Sequence, residues 1–216
     1  MIVKETRIKI SSGHKALAAH VLRGKKNEAL LVLEGNEYWL KDWVKEAKRE
    51  GLTYGLRHIA FNPAQAMTDT ELSEFADRLC EELGANKAYR ALILHQKDGK
   101  RHGHLILPEW QDNHVLSSRF SYMRLEKVAR LEEIRLGHPL TAGRHDAAIA
   151  NALRMEGKHS EAQLVEALIP DGASLPRAAY TSQARRITER QALDLPALKK
   201  EITALWQHSG EKLPAF

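Results

Sequence analysis

The stretch Ala91-Leu-Ile-Leu-His95-Gln-Lys-Asp-Gly-Lys-Arg-His102-Gly-His104-Leu-Ile-Leu107 decides the fold. Two apolar runs flank Lys97-Asp98-Gly99-Lys100, and Asp-Gly between such runs predicts a hairpin closed by a type I′ turn. With a two-residue turn, Lys97 pairs with Lys100, Gln96 with Arg101, and His95 with His102. Residues directly opposite on an antiparallel pair share a face, with Cβ atoms ~5 Å apart. His104 lies two residues beyond His102 and therefore points the same way. One hairpin thus gathers three imidazoles, a donor set suited to a divalent metal with open positions, as a catalytic centre has. Gly103 leaves the opposite face bare, so another element is able to approach closely. Ordinary polar residues near a hairpin tip are the plainer reading, and a three-residue loop would turn His95 away.

Upstream of the hairpin, strand and helix patterns alternate. Ile2 to Ile10 reads as an edge or one-sided strand, Gly13 to Leu22 as a short helix, and Ala29 to Leu33 as a buried strand. Glu37 to Glu50 is helical and stopped by Gly51, and Tyr54 to Phe61 is a third strand ended by Asn62-Pro63. Thr68 with Glu71 forms a capping-box signature. Leu72, Phe75, Ala76, Leu79, Cys80 and Leu83 then mark one helical stripe, closed by Gly84. After Pro108 the strand pattern stops. Arg119–Leu136, Asp146–Glu156, Ser160–Leu168, Thr181–Gln191 and Ala197–His208 read as helices, with a linker at Pro170–Pro176. The fold class is therefore α+β: an antiparallel sheet with helices packed on it, plus a helical C-terminal extension. The expected division is a core at 1–145 and the extension at 146–216.

Composition narrows the function. The 216 residues carry 33 Lys+Arg against 28 Asp+Glu, a net charge of +5, with 11 His and one Cys. The lone Cys80 excludes a disulfide framework and any Cys₂ or Cys₄ zinc site, which fits a reducing cytoplasm. No apolar run reaches the ~20 residues needed to span a bilayer. A charge of +5 permits a polyanionic partner without specifying one. No Gly-x-x-x-x-Gly-Lys phosphate loop is present, so the sequence offers no P-loop motor.

His95-x₆-His102-x-His104 on the last two strands of a small α+β core resembles the metal motif of the HUH endonucleases, and within them the plasmid relaxases, or mobilization nucleases. Asp112 to Leu116, the run Arg124-Leu-Glu-Lys-Val-Ala-Arg-Leu-Glu-Glu-Ile and Gly143-Arg-His145 are similar to the stretch downstream of the histidines in one relaxase group. Leu17-Ala-Ala-His20-Val-Leu with Asn27-Glu28 is similar to that group's N-terminal motif. Gly103 departs from the pattern, which has a bulky apolar residue between the two histidines. The resemblance implies a relaxase-like palm in a bacterial cytoplasm, nicking one strand at a plasmid transfer origin. His95, His102 and His104 would hold Mn²⁺ or Mg²⁺, with Zn²⁺ a further option. A side chain would attack the scissile phosphate and stay attached to the 5′ end. Accessory relaxosome proteins and a type IV coupling protein are the partners it implies, with no membrane insertion.

The resemblance makes His20 the candidate nucleophile, since the first tyrosine is Tyr38, and Glu28 a candidate to orient it or take its proton. Tyr122 is the alternative nucleophile. Single-stranded DNA wants a cationic groove with ring faces, for which Arg23, Lys25, Lys26, Asn27, Arg101, Arg119, Arg124, Arg144 and His145 are the candidates, with Trp110 for stacking. His58 reads as a core side chain or a support to a ligand. Two other classes remain: a cupin-like metal enzyme, because His102-x-His104-x₄-Glu109 echoes a cupin ligand string, and a DNA-binding protein without chemistry whose metal is structural.

Overall fold

Seven strands and six α-helices are present in a computed structural model that describes residues 1–24 and 28–169. Lys25, Lys26, Asn27, the expected 170–176 linker and the expected helices at 181–191 and 197–208 lie outside the described residues. The elements run β1 (Ile2–Lys9), α1 (Lys15–Leu22), β2 (Ala29–Glu34), α2 (Glu37–Arg49), β3 (Tyr54–Asn62), α3 (Asp69–Leu83), β4 (Ala91–Lys97) and β5 (Lys100–Pro108). They continue with β6 (Trp110–Gln111), β7 (His114–Val115), α4 (Ser121–Arg135), α5 (Asp146–Met155) and α6 (His159–Glu166). The first five strands form one sheet in the order β1-β3-β5-β4-β2, antiparallel at every pairing.

Period-two alternation divides this sheet into two buried faces. On one, Leu56, Ala91, Ile93 and Ile106 pack against Leu17, Ala18 and Val21 of α1 and Leu40, Trp43 and Val44 of α2. On the other, Ile59, Phe61, Leu92, Leu94, Leu105 and Leu107 meet Leu72, Phe75 and Leu79 of α3 and Leu125 and Val128 of α4. Helices α5 and α6 bury Ile149, Leu153 and Val165 against α4 and belong to the same compact unit as the sheet, Met1–Pro170.

Local chemistry sets the helix ends. Thr68 and Glu71 close the expected capping box on α3, and Gly84 ends it in the left-handed region. Asn36 caps α2 by accepting from the Trp39 amide. The β4–β5 turn is the type I′ kind, with Asp98 and Gly99 both at positive φ.

Three features differ from the sequence reading. Ala29–Glu34 is an edge strand, leaving Leu31, Val32 and Leu33 exposed, because its apolar run pairs only with β4. Strands do not stop at Pro108. Asp112 and Asn113 both adopt positive φ and turn β6 back on β7. The cupin-like alternative fails, since the sheet is open, with β1 and β2 at its edges, and does not close into a barrel. Glu109, its proposed ligand, is fully buried and accepts hydrogen bonds from Arg7 and Arg57 on the face away from the histidines.

Candidate metal centre

Register places the histidines. His95 pairs with His102 and Ile93 with His104 across β4 and β5, so His95, His102 and His104 share the face covered by α1 and α2. Each offers a ligand nitrogen, and these atoms lie within 4.8 Å of one another. His95 and His104 are buried and His102 is half-buried, which leaves an approach on the His102 side.

Hydrogen bonds fix which nitrogen His95 and His104 present. His95 Nε2 lies 2.7 Å from the Val21 carbonyl in the last turn of α1. That carbonyl is one that a helix end leaves unpaired, and it accepts only if Nε2 carries the hydrogen. A neutral imidazole has one N–H, so His95 keeps its lone pair on Nδ1. His104 Nδ1 lies 2.9 Å from Nε2 of His58, while His104 Nε2 is buried with no hydrogen-bond partner among the described residues. An unpartnered buried nitrogen costs about 1–3 kcal/mol, and a cation among the three rings would relieve it.

The electrostatics keep the rings neutral. Burial first, then repulsion from neighbouring rings, pushes His58 down to about 4 and His104 to about 2. Burial likewise lowers His95 and His102, with Lys97 adding to the shift at His102. Metal binding requires the unprotonated ring, and this site holds it at neutral pH. The residues therefore fit a divalent cation.

His20 stands over this cluster. It lies in the last turn of α1 with an exposed side chain, its ring centroid 5.4 Å from that of His104, 6.3 Å from His58 and 6.5 Å from His95. Tyr122 is also exposed, but it lies in the first turn of α4, whose buried side packs on the opposite face of the sheet. Glu28 is held at the hairpin tip, where its carboxylate accepts from the Gly99 amide and, at 3.5 Å, from the Gln96 side chain.

The predicted DNA-binding residues scatter. Arg23 is ion-paired with Glu37, Arg101 with Asp69, and Arg124 with Glu82. Arg119 is exposed, with its guanidinium over the Phe120 ring, and Arg144 is exposed. In Gly143-Arg144-His145 the backbone amides already donate to carboxylates, Gly143 to Asp146 and His145 to Glu126. Trp110 follows His104 by six residues along and just past β5, a run of ~20 Å.

The sequence left His58 as either a core side chain or a support to a ligand, and it did not single out the lysines beside the centre. His58 reaches the centre from β3, where Ala60 faces His104. Lys4, Asn62, Lys97 and Lys100 line, with Ala60 and His102, a cavity of about 410 Å³ beside the histidines. None of these lysines is ion-paired among the described residues. Lys97 and Lys100 were within reach of the sequence, since the hairpin register puts them on the His95 face. A second cavity, of about 450 Å³, runs from His20 past Leu17 and Ser12 to Lys9 and Arg7.

Residues 39–137 match the family model of the relaxase nuclease domain of MobA/VirD2-like type. This segment is similar to relaxase nuclease domains. The relaxase match spans α2 to the end of α4, taking in His58, His95, His102 and His104 and beginning after His20. No curated protein matches the chain. A solved structure titled "Molecular Basis of Vancomycin Resistance Transfer in Staphylococcus aureus" aligns at 14% identity over 64% of this chain and 95% of its own, with a TM-score of 0.43. Among the described residues, no helix is long and apolar enough to cross a membrane.

Proposed function

We propose that the protein is a relaxase that nicks one DNA strand at a plasmid transfer origin by transesterification and stays joined to the 5′ phosphate. The observation carrying this reading is the placement of His20, an exposed ring on a helix end, 5.4 Å from a buried ring of a three-histidine group. His95, His102 and His104 would hold a divalent cation, which supplies Lewis-acid polarisation of the non-bridging phosphate oxygens. An all-imidazole set suits zinc better than magnesium, which takes oxygen ligands, and manganese is the ion the resemblance implies.

The chain's own residues do the rest. A ring nitrogen of His20 attacks phosphorus; the N–P bond forms as the P–O3′ bond breaks. The electron pair leaves on the 3′ oxygen, which gains a proton as the imidazolium at His20 loses one. The phosphoramidate conserves the bond energy for rejoining. We assign the attack to His20 rather than Tyr122 because α4 lies across the sheet from the histidines. Glu28 acts by holding the hairpin turn through Gly99 rather than as a base at His20. The bound strand crosses the face between the lysine-lined cavity at His102 and the cavity at His20. Accessory proteins of the origin complex and a type IV coupling protein would be its partners.

The test is a labelled single-stranded oligonucleotide bearing the cognate origin, incubated with Mn²⁺ and resolved in SDS. The wild type and Tyr122→Phe give an SDS-resistant adduct, and His20→Ala gives none while still binding metal and DNA. An adduct in His20→Ala moves the nucleophile elsewhere, and no cleavage with any divalent metal removes the nuclease reading.

A further inference from the structure

Among the described residues, His58 is the ring hydrogen-bonded to the metal-binding group without belonging to it. It sits on β3, the strand paired with β5 of the hairpin, and the pairing of Ala60 with His104 brings it in diagonally. Its ring stacks on that of His104, with centroids 5.1 Å apart and planes 26° apart, and the two are joined by the 2.9 Å contact between His58 Nε2 and His104 Nδ1. We propose that His58 is a positioning residue: its Nε2 accepts the Nδ1–H of His104 and so fixes His104 as an Nε2 ligand.

The tautomers allow one consistent arrangement. His104 aims Nε2 into the cluster, where none of the described residues offers it an acceptor. For that nitrogen to bind a cation it must carry the lone pair, which puts the hydrogen on Nδ1. The atom facing Nδ1 is His58 Nε2, which therefore accepts, and the hydrogen of His58 lies on its own Nδ1. Outer partners of metal-bound histidines are commonly carboxylates, carbonyls or water. His95 follows that habit with the Val21 carbonyl, whereas His104 is held by a neutral ring.

A neutral holder has a further effect. The ligand group is three histidines with no carboxylate, and the holder adds no negative charge. The cation's double charge is left for an anion from outside to balance, and on the reading proposed above that anion is the DNA phosphate. Metal and DNA then strengthen each other's binding.

The test is calorimetric titration of Mn²⁺ into the whole protein without DNA, alongside thermal melts. His58→Leu, which cannot accept, is expected to weaken Mn²⁺ binding about 10–100-fold. His58→Gln, whose side-chain carbonyl stands near the lost Nε2, is expected to stay close to the wild type. His58→Asp, which adds a charged acceptor, is expected to tighten binding and to shrink the gain in Mn²⁺ affinity given by an uncleavable oligonucleotide. A folded His58→Leu with unchanged affinity overturns the proposal, as does a His58→Gln that loses as much as His58→Leu. If His58→Leu does not fold, the Asp variant decides, and unchanged or weaker binding there overturns it. These DNA-free arms fail or succeed whether or not an adduct forms, so they separate this proposal from the nuclease reading.

Discussion

Burial works on titratable side chains in opposite directions according to the charge they carry, and the protein uses both. At the histidines it removes the proton; at Cys80, fully buried on α3, it retains one, pushing the thiol up to about 11 against a partial opposing pull from Arg90. The folded protein therefore holds a proton on Cys80 that the unfolded chain releases near 9. Its contribution to stability is complete below that pH and is lost as pH rises through the folded value. At pH 8 a thiolate-selective reagent such as DTNB is expected to leave the folded protein unlabelled and to label one thiol per chain in denaturant. Rapid labelling of the folded protein would contradict that environment. The identities of His95, His102 and His104 as a group were legible in the sequence because one turn sets their register. For His58 the choice between core and support stayed open, since nothing local to Tyr54–Asn62 names the strand it joins.

Among the elements, the packing of β3 against β5 explains why glycine stands between the two histidines. Phe61 faces Gly103, and a Cβ there would meet the Phe61 ring at 2.0 Å from its nearest atom. The bulk that relaxase-like sequences put between the histidines is supplied here from the neighbouring strand, where Phe61 also packs edge-on against Phe75 of α3. Gly103→Val is expected to cost at least about 1–3 kcal/mol through overpacking, and Phe61→Ala about 3–5 kcal/mol through the cavity it leaves. The double variant should cost less than the sum, with a coupling of about 0.5–3 kcal/mol readable from thermal melts. Strict additivity would mean the two positions do not share one volume. The sequence announced the hairpin and the capped helix α3 because Asp98-Gly99 and Thr68–Glu71 act within a few residues. It could not announce that β2 is an edge, because a short apolar run reads alike in the centre and at the rim of a sheet. It missed β6 and β7 because two-residue strands carry no period.

For the molecule as a whole, charge is a matter of which cations are left unpaired rather than of their number. Several arginines expected to meet DNA are tied to carboxylates, while Lys4, Lys97 and Lys100 line a cavity and have no ion pair among the described residues. Counterion release from single strands contributes a slope of roughly −0.7 per phosphate neutralised in log affinity against log salt. Replacing the three lysines by alanine is expected to reduce that slope by about 2 and to weaken binding of any single strand, measured by fluorescence anisotropy across a salt series. An unchanged slope would route the strand elsewhere. The carbonyl of Val21 carries a last consequence. Helix α1 has only eight residues, too few to persist by itself. It is secured by Leu17, Ala18 and Val21 on the sheet and by the imidazole of His95 on its final turn. Order imposed on that imidazole by a captured ion passes along one hydrogen bond to the helix bearing His20, so the amide exchange of α1 becomes a gauge of how full the centre is.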